Sequence, residues 1–247
     1  SDNSGRFINP TDYDDDANIL YSAIDQYSLK KIEDITGNYI AGTISGLNLG
    51  STAASIRVSP FTDNTIFVGT GSGRIFKLTN AHSDSVSSTD ITGTSMPWAY
   101  ISCIELGADE DQILATFSNY GVTSVWETQN GGSSWSSKEG DLPDMPVRWA
   151  LYNPNDRTEV ILATEVGVWH TNNFDNSSPN WTASNSGLAN VRTDMLQIRE
   201  SDYLVIAATH GRGLYSSDGF GAALAANFSA DVTSGNPPLV VNFTDQT

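Results

Sequence analysis

The residues able to do chemistry fall into a few groups. Arg148 and Arg192 stand in the related contexts PVRW and NVRT, and two convergent guanidinium groups would grip a carboxylate or sulfate. Each equally has an acid close by in sequence, so pairing with a neighbouring aspartate is the structural alternative. Glu165, Asp144 and Asp194 supply carboxylates, and two of them at the right separation would make a glycosidase acid–base pair, a distance that sequence does not fix. THGRG places His210 and Arg212 side by side, although its two glycines also make it a tight turn. Trp98 and Tyr120 offer aromatic platforms. Asp12, Asp14 and Asp16 in DYDDDAN hint at calcium. The sixth loop position is Ala17 rather than Gly and the twelfth Ala23 rather than Glu, which excludes an EF-hand. A solvated acidic loop between two strands is expected there, with an irregular calcium site as the alternative; no other cofactor is expected. The three histidines, His82, His170 and His210, occupy unrelated positions and give no His-based metal site.

The chain around these groups has 247 residues, 38% of them apolar, with six Trp and nine Phe, enough for a substantial core. A net charge of -17 argues against phosphate backbones and anionic headgroups as partners. The longest small apolar run, GAALAA, is too short to cross a bilayer, so neither nucleic acid nor membrane insertion is expected. Cys103 is the only cysteine, set in the strand-like ISCIEL, and reads as a buried, inert thiol.

What must position the site is a repeat. The runs ILYSA, IFVGT, ILAT, ILAT and VIAAT end at Ala23, Thr70, Thr116, Thr164 and Thr209, which are 47, 46, 48 and 45 residues apart. Four are followed by a glycine and a second apolar strand, at Gly73, Gly121, Gly167 and Gly213, where a tight reversal needs glycine's freedom. A further strand precedes each run, as in FINP, IRVSP and ALYNP, and a fourth follows, as in SSWSSKE and NWTASNS. Four antiparallel strands in about 45 residues is the pattern of a β-propeller blade, so the fold class is all-β. Five blades or parts of blades are expected, the first with a curtailed opening strand and the last without its fourth, within a larger propeller. The organisation read from sequence is a propeller over 1–219, a linker over 220–226 and a further module over 227–247.

In TQNGGSSW, Thr128, Asn130, Gly132 and Trp135 fit the pattern Ser/Thr-x-Asp/Asn-x-Gly-x-x-Trp. On these residues the chain resembles the Asp-box, or BNR-repeat, propellers. Thr171, Asn173 and Trp181 form an interrupted copy; Thr79–Asn80 and Ser216–Phe220 are fainter ones. The expected physics is a turn in which Asn accepts backbone N–H groups, Gly takes positive φ and Trp packs beneath. The resemblance implies that the box is structural and lies away from the ligand face. FSNYGVTSVWETQNGGSSW, LPDMPVRWALYNP, ATEVGVW and AATHGRGLY look like the C-terminal propeller of large secreted bacterial proteins of the glycosyl hydrolase-like, sortilin-like and xyloglucanase-like kind. NFSADVTSGNPPLVVNFTDQT resembles the truncated start of a PKD domain, through Phe228, Gly235, Pro238, Leu239 and Asn242–Asp245.

Blade phasing places Trp98, Tyr120, Asp144, Arg148, Glu165, Arg192, His210 and Arg212 on one face, with Arg148 and Arg192 in equal places of successive blades. The function expected is a non-catalytic binding or display module of a secreted or cell-surface protein, recognising glycan or protein, with further domains of the same polypeptide on both sides. The rival reading is a sialidase-like or xyloglucanase-like glycoside hydrolase whose catalytic residues lie partly in upstream blades. Against it, no complete acid, base and nucleophile set can be named from these residues.

Overall fold

The computed structural model describes residues 8–83, 85–184, 186–188, 190–220, 228–230, 232, 234, 240–241 and 243–245. Among them the chain is all-β, without a helix, and most of it forms five successive antiparallel sheets. The first holds β1 (Thr11–Asp14), β2 (Ile19–Ala23), β3 (Leu29–Glu33) and β4 (Ile40–Ile44). The second holds β5 (Ala53–Val58), β6 (Ile66–Thr70), β7 (Ile75–Thr79) and β8 (Ser87–Asp90). The third holds β9 (Ile101–Leu106), β10 (Gln112–Phe117), β11 (Val125–Gln129) and β12 (Ser136–Ser137). The fourth holds β13 (Val147–Tyr152), β14 (Val160–Thr164), β15 (Gly167–Thr171) and β16 (Thr182–Ala183). The fifth has three described strands, β17 (Thr193–Arg199), β18 (Leu204–Thr209) and β19 (Gly213–Ser217). Strands lie side by side in chain order, and first strands pack in succession, β1 on β5, β5 on β9, β9 on β13 and β13 on β17. This is the radial arrangement of a β-propeller with the first strands innermost.

The expected strand at FINP is displaced. The inner strand of the first blade is Thr11–Asp14, so half of the acidic stretch is strand and the turn falls after it, with Asn18 at φ 55°. An acid is tolerated there because Val58 N–H in the adjacent blade donates to the Asp12 carboxylate at 2.7 Å. The four turn glycines behave as read: Gly73, Gly121, Gly167 and Gly213 have φ of 86°, 72°, 97° and 81°.

Strand register corrects the repeat by one residue in two blades. Thr70, Thr164 and Thr209 lie opposite Ala53, Val147 and Thr193, beside a bulge in the inner strand. In the third blade Phe117 holds that place, opposite Ile101, and Thr116 comes one residue early. In the first blade Ala23 shares a core with the second blade and so belongs with Gly69, Thr116, Ala163 and Ala208, all small. The size limit is visible at Gly69, where an added Cβ would meet Ile101 Cγ2 of the next blade at 2.5 Å. Across from the small residue stands an apolar one: Leu29, Ile75, Val125 and Val168 in the first four blades. Each of the four is buried in a core shared with the following blade. Because side chains alternate along a strand, a slip of one residue would exchange the two faces.

The turn at TQNGGSSW closes through side chains. Thr128 Oγ1 accepts from Asn130 N at 3.3 Å and Gly132 N at 3.0 Å, and donates to Asn130 Oδ1 at 2.9 Å. Asn130 Oδ1 accepts from Ser134 N at 2.8 Å. Gly132, at φ 90°, lies so close to Ile91 that an added Cβ would be 2.7 Å from its carbonyl oxygen. Trp135 is buried, and its indole Nε1 donates to Ile91 O of the preceding blade at 2.8 Å. The interrupted copy keeps the same bonds: Thr171 Oγ1 donates to Asn173 Oδ1 at 2.7 Å, Asn173 Oδ1 accepts from Asn180 N at 3.0 Å, and Trp181 Nε1 donates to Lys138 O at 3.2 Å. Both indoles therefore reach across to the previous blade rather than folding only beneath their own turn. Phe220, first residue of the expected linker, is buried in the core of the last two blades.

Beyond the propeller, β20 (Phe228–Ala230) pairs antiparallel with β21 (Phe243–Asp245). Residues 221–226 of the expected linker, and Gly235, Pro238, Leu239 and Asn242 of the PKD resemblance, lie outside the described residues.

Trp135→Ala should cost about 3–5 kcal/mol of stability, as loss of a buried aromatic does. Trp135→Phe should cost much less, since the ring remains and one hydrogen bond of about 1 kcal/mol is lost. Urea denaturation of the two variants checks this; equal effects would mean that the ring does not join the blades.

Candidate functional site

One end of the propeller collects the starts of the inner strands and the turns between second and third strands. At this end of the last two blades the charged residues meet. Arg148 donates through Nε to Glu165 Oε2 at 3.1 Å, and its Nη2 pairs with the same oxygen. Arg148 Nε also lies 3.9 Å from Asp194 Oδ1, to which Arg192 Nε donates at 2.6 Å. His210 Nδ1 stands 3.5 Å from Asp194 Oδ2. Arg148, Glu165, Arg192, Asp194 and His210 thus form one network across two blades, half-buried except for the exposed imidazole. Arg212 is exposed beside it.

The two arginines share this end but do not occupy equal places. Val147 and Thr193 are equivalent in the ladder, so Arg148 corresponds to Asp194, and Arg192 falls two residues earlier. Arg148 and Asp194 are the extra residues of the two bulges, as are Ser102 in the third blade and Ala54 in the second. A bulge re-aims its side chain. Ser102 shows the same inclination toward the next blade, donating to Val147 O at 2.6 Å.

Trp98, Tyr120 and Asp144 lie at the same end, around the third blade. Tyr100 N–H donates to Asn119 Oδ1 at 2.8 Å, tying the segment of Trp98 to the turn of Tyr120. Gly121 N–H donates to Asp144 Oδ1 at 2.7 Å, tying that turn to the segment leading into the fourth blade. Trp98 is 85% exposed and Tyr120 63%, on anchored backbone. Asn130, Asn173, Trp135 and Trp181 sit at the opposite ends of their strands. The acids at the start of the chain do not gather. Asp12 bonds to Val58 N, Asp14 accepts from Ala17 N at 2.9 Å, and Asp16 is exposed. Among the described residues no three His, Cys, Asp or Glu side chains are grouped to hold a metal ion.

Sequence reading missed two polar clusters. Asp12, Arg57 and Glu105 hold equal ladder positions on three successive inner strands, with Arg57 Nη2 3.3 Å from Glu105 Oε2. Burial pushes the Glu105 carboxyl up to about 7 despite the guanidinium beside it. Neighbouring Cys103 is buried, and loss of solvent raises its thiol to about 12, so the inert reading holds. The signal was present in DYD, IRV and IEL, but only the register shows that they align. The second cluster centres on buried Glu127, which accepts from Tyr152 Oη at 2.9 Å and Gln112 Nε2 at 3.0 Å. Lys138 Nζ lies 3.4 Å from Glu127 and donates to Phe174 O at 2.7 Å, so this cluster joins the third and fourth blades.

No family model matches the sequence, and no curated protein does. Among solved structures, the chain is similar to the β-propeller domain of Cps50 (Swd1) from Myceliophteria thermophila, with a TM-score of 0.62 at 10% identity over 86% of this chain and 65% of that one. It is similar to Raptor from Chaetomium thermophilum, with a TM-score of 0.63 at 10% identity over 86% of this chain and 20% of that one. A third likeness is to the WD40 β-propeller domain of Doa1, with a TM-score of 0.60 at 12% identity over 85% and 64%. At such identities the likeness is one of fold, and the chain spans less than two thirds of each of these.

The Glu105 carboxyl binds its proton more tightly folded, near 7, than unfolded, near 4.5. Its contribution to stability is therefore full below about pH 4.5 and is lost as pH rises through about 7. Urea midpoints measured from pH 5 to 8 should fall more steeply in the parent protein than in Glu105→Gln. Parallel profiles would show that Glu105 ionises as freely in the fold as outside it.

Proposed function

We propose that this chain is a non-catalytic binding module that receives a protein or glycan at the end of the propeller carrying Trp98, Tyr120 and the Arg148–Asp194 network. The observation that carries this reading is the exposure of two aromatic rings on anchored backbone at the loop-bearing end of the propeller blades. Exposed aromatics of this kind supply most of the energy in many interfaces, and they stack on sugar faces equally well. The fold likeness to propellers such as the WD40 domain of Doa1 supports a scaffold or protein-binding role. The charged residues fit binding better than hydrolysis. Glu165 and Asp194 turn their oxygens to guanidinium and imidazole partners. The surplus of acids favours a neutral or basic partner.

Our reading sets the module outside the cell, as one Asp-box unit of a larger secreted or surface protein. The support is the sequence resemblance together with the Thr128–Trp135 turn, whose bonds suit a structural box.

An array of sialosides, β-glucans and basic or neutral peptides, probed with the purified chain, tests the reading. The best binder should lose at least tenfold in affinity with Trp98→Ala plus Tyr120→Ala, while the melting temperature stays put because both rings are exposed. Full affinity in the double variant would contradict the proposal. So would release of sugar that depends on Glu165 or Asp144.

A further inference from the structure

In four blades the third-strand residue opposite the small position is buried by the next blade: Leu29, Ile75 and Val125 are each 0% exposed, and Val168 is 9%. The fifth blade keeps an apolar residue there, Leu214 opposite Ala208, yet it is 72% exposed. The second-strand position on the same face repeats the contrast: Tyr21, Phe67 and Leu114 are fully buried, whereas Ile206 is 37% exposed. Met195, beside Ala208, is 41% exposed. The sequence has thus kept an interior face where the described chain supplies no cover. Gln197, Arg199, Leu204 and Ser216 complete this face, whose strand residues include no acid in a chain of net charge -17, Asp202 pairing with Arg199 at its edge. Solvated blade surfaces would be expected to share the acid surplus.

The first blade does not close over it. Inner strands pack in succession from β1 to β17, and no comparable packing joins β17 to β1 among the described residues. The five blades match 65% and 64% of two other propeller domains, so at a similar angle between blades a full turn holds about seven or eight, within the usual range. The gap then holds about two or three blades. A second copy of this chain would bring five, and would add its own negative charge.

We propose that the face of Met195, Ile206 and Leu214 is an internal interface of a larger ring, covered by a further four-stranded blade of the same polypeptide outside these 247 residues. The repeat also defines what that blade presents. The face that each blade turns to its predecessor carries an aromatic third-strand residue, as in Phe76, Trp126, Trp169 and Tyr215, and an aliphatic second-strand residue, as in Ile66, Ile113, Val160 and Val205. The first blade keeps an aliphatic residue, Leu20, in the second-strand place but departs from the pattern with Lys30 in the aromatic one. That difference suits a blade that is not the fifth blade's neighbour.

A photo-reactive benzoylphenylalanine in place of Leu214, in the full-length polypeptide, tests the proposal by mass spectrometry of the crosslinked peptides. The expected product is an intramolecular link to a strand outside residues 1–247. A link to the β1–β4 sheet, to a second copy or to another protein would overturn the proposal, as would the absence of any link. Leu214→Lys is the companion variant. It should leave the melting temperature of the 247-residue chain unchanged and lower that of the full-length polypeptide. A destabilised 247-residue chain, or an unaffected full-length one, would count against it.

Discussion

A four-stranded antiparallel sheet with apolar residues on both faces has no core of its own, and everything else in this structure depends on how each sheet is covered by its neighbours. Burying an aliphatic side chain such as Leu29 or Ile75 yields about 1.5–3 kcal/mol. That gain is available only when two blades meet closely. The close approach sets the other residue types in the repeat. A small residue stands opposite each aliphatic one, and at Gly69 a single methyl would already collide with Ile101. The indoles of Trp135 and Trp181 then fasten each blade to the segment that closes the one before. The threonine–asparagine–tryptophan turn is the device that aims these rings, and its side-chain hydrogen bonds persist despite the insertion before Trp181.

Once the interior is fixed in this way, strand ends are free to vary, and the candidate site is built there. The bulge that recurs in the inner strands of the second to fifth blades gives each of these one residue outside the ladder. In the second blade it is Ala54, in the third Ser102, and in the fourth and fifth the oppositely charged Arg148 and Asp194. Successive blades are related by rotation, so equal places become neighbours, and the charged pair follows from geometry. Arg192 and His210 join through the same aspartate. The arrangement sets a network of paired charges beside exposed aromatics.

The architecture was legible in the sequence because the blades reuse turn chemistry: a glycine with positive φ after the second strand in four of them, and a hydroxyl–asparagine–tryptophan turn after the third strand in the third and fourth. The faces were less legible. ILYSAI and ILATF each offer two frames that differ by one residue, and composition does not choose between them; burial does, and it moves Ala23 and Thr116 into the small-residue position. DYDDDAN reads as a loop because acids are poor strand residues, but the adjacent Val58 N–H, a partner distant in sequence, makes Asp12 acceptable. For the same reason the row Asp12–Arg57–Glu105 and the Arg148–Asp194 equivalence emerge only with the register, since both are relations between blades.

If cover by a neighbouring blade is what stabilises each sheet, hydrogen exchange along the chain measures it most directly. Amides of β6, β10 and β14, flanked on both faces, should exchange only near global unfolding, whereas those of β18 and β19, covered on one face, should exchange many-fold faster. Protection of β18 and β19 equal to that of β10 would contradict the account, because it would mean that a blade stands firm without its second neighbour.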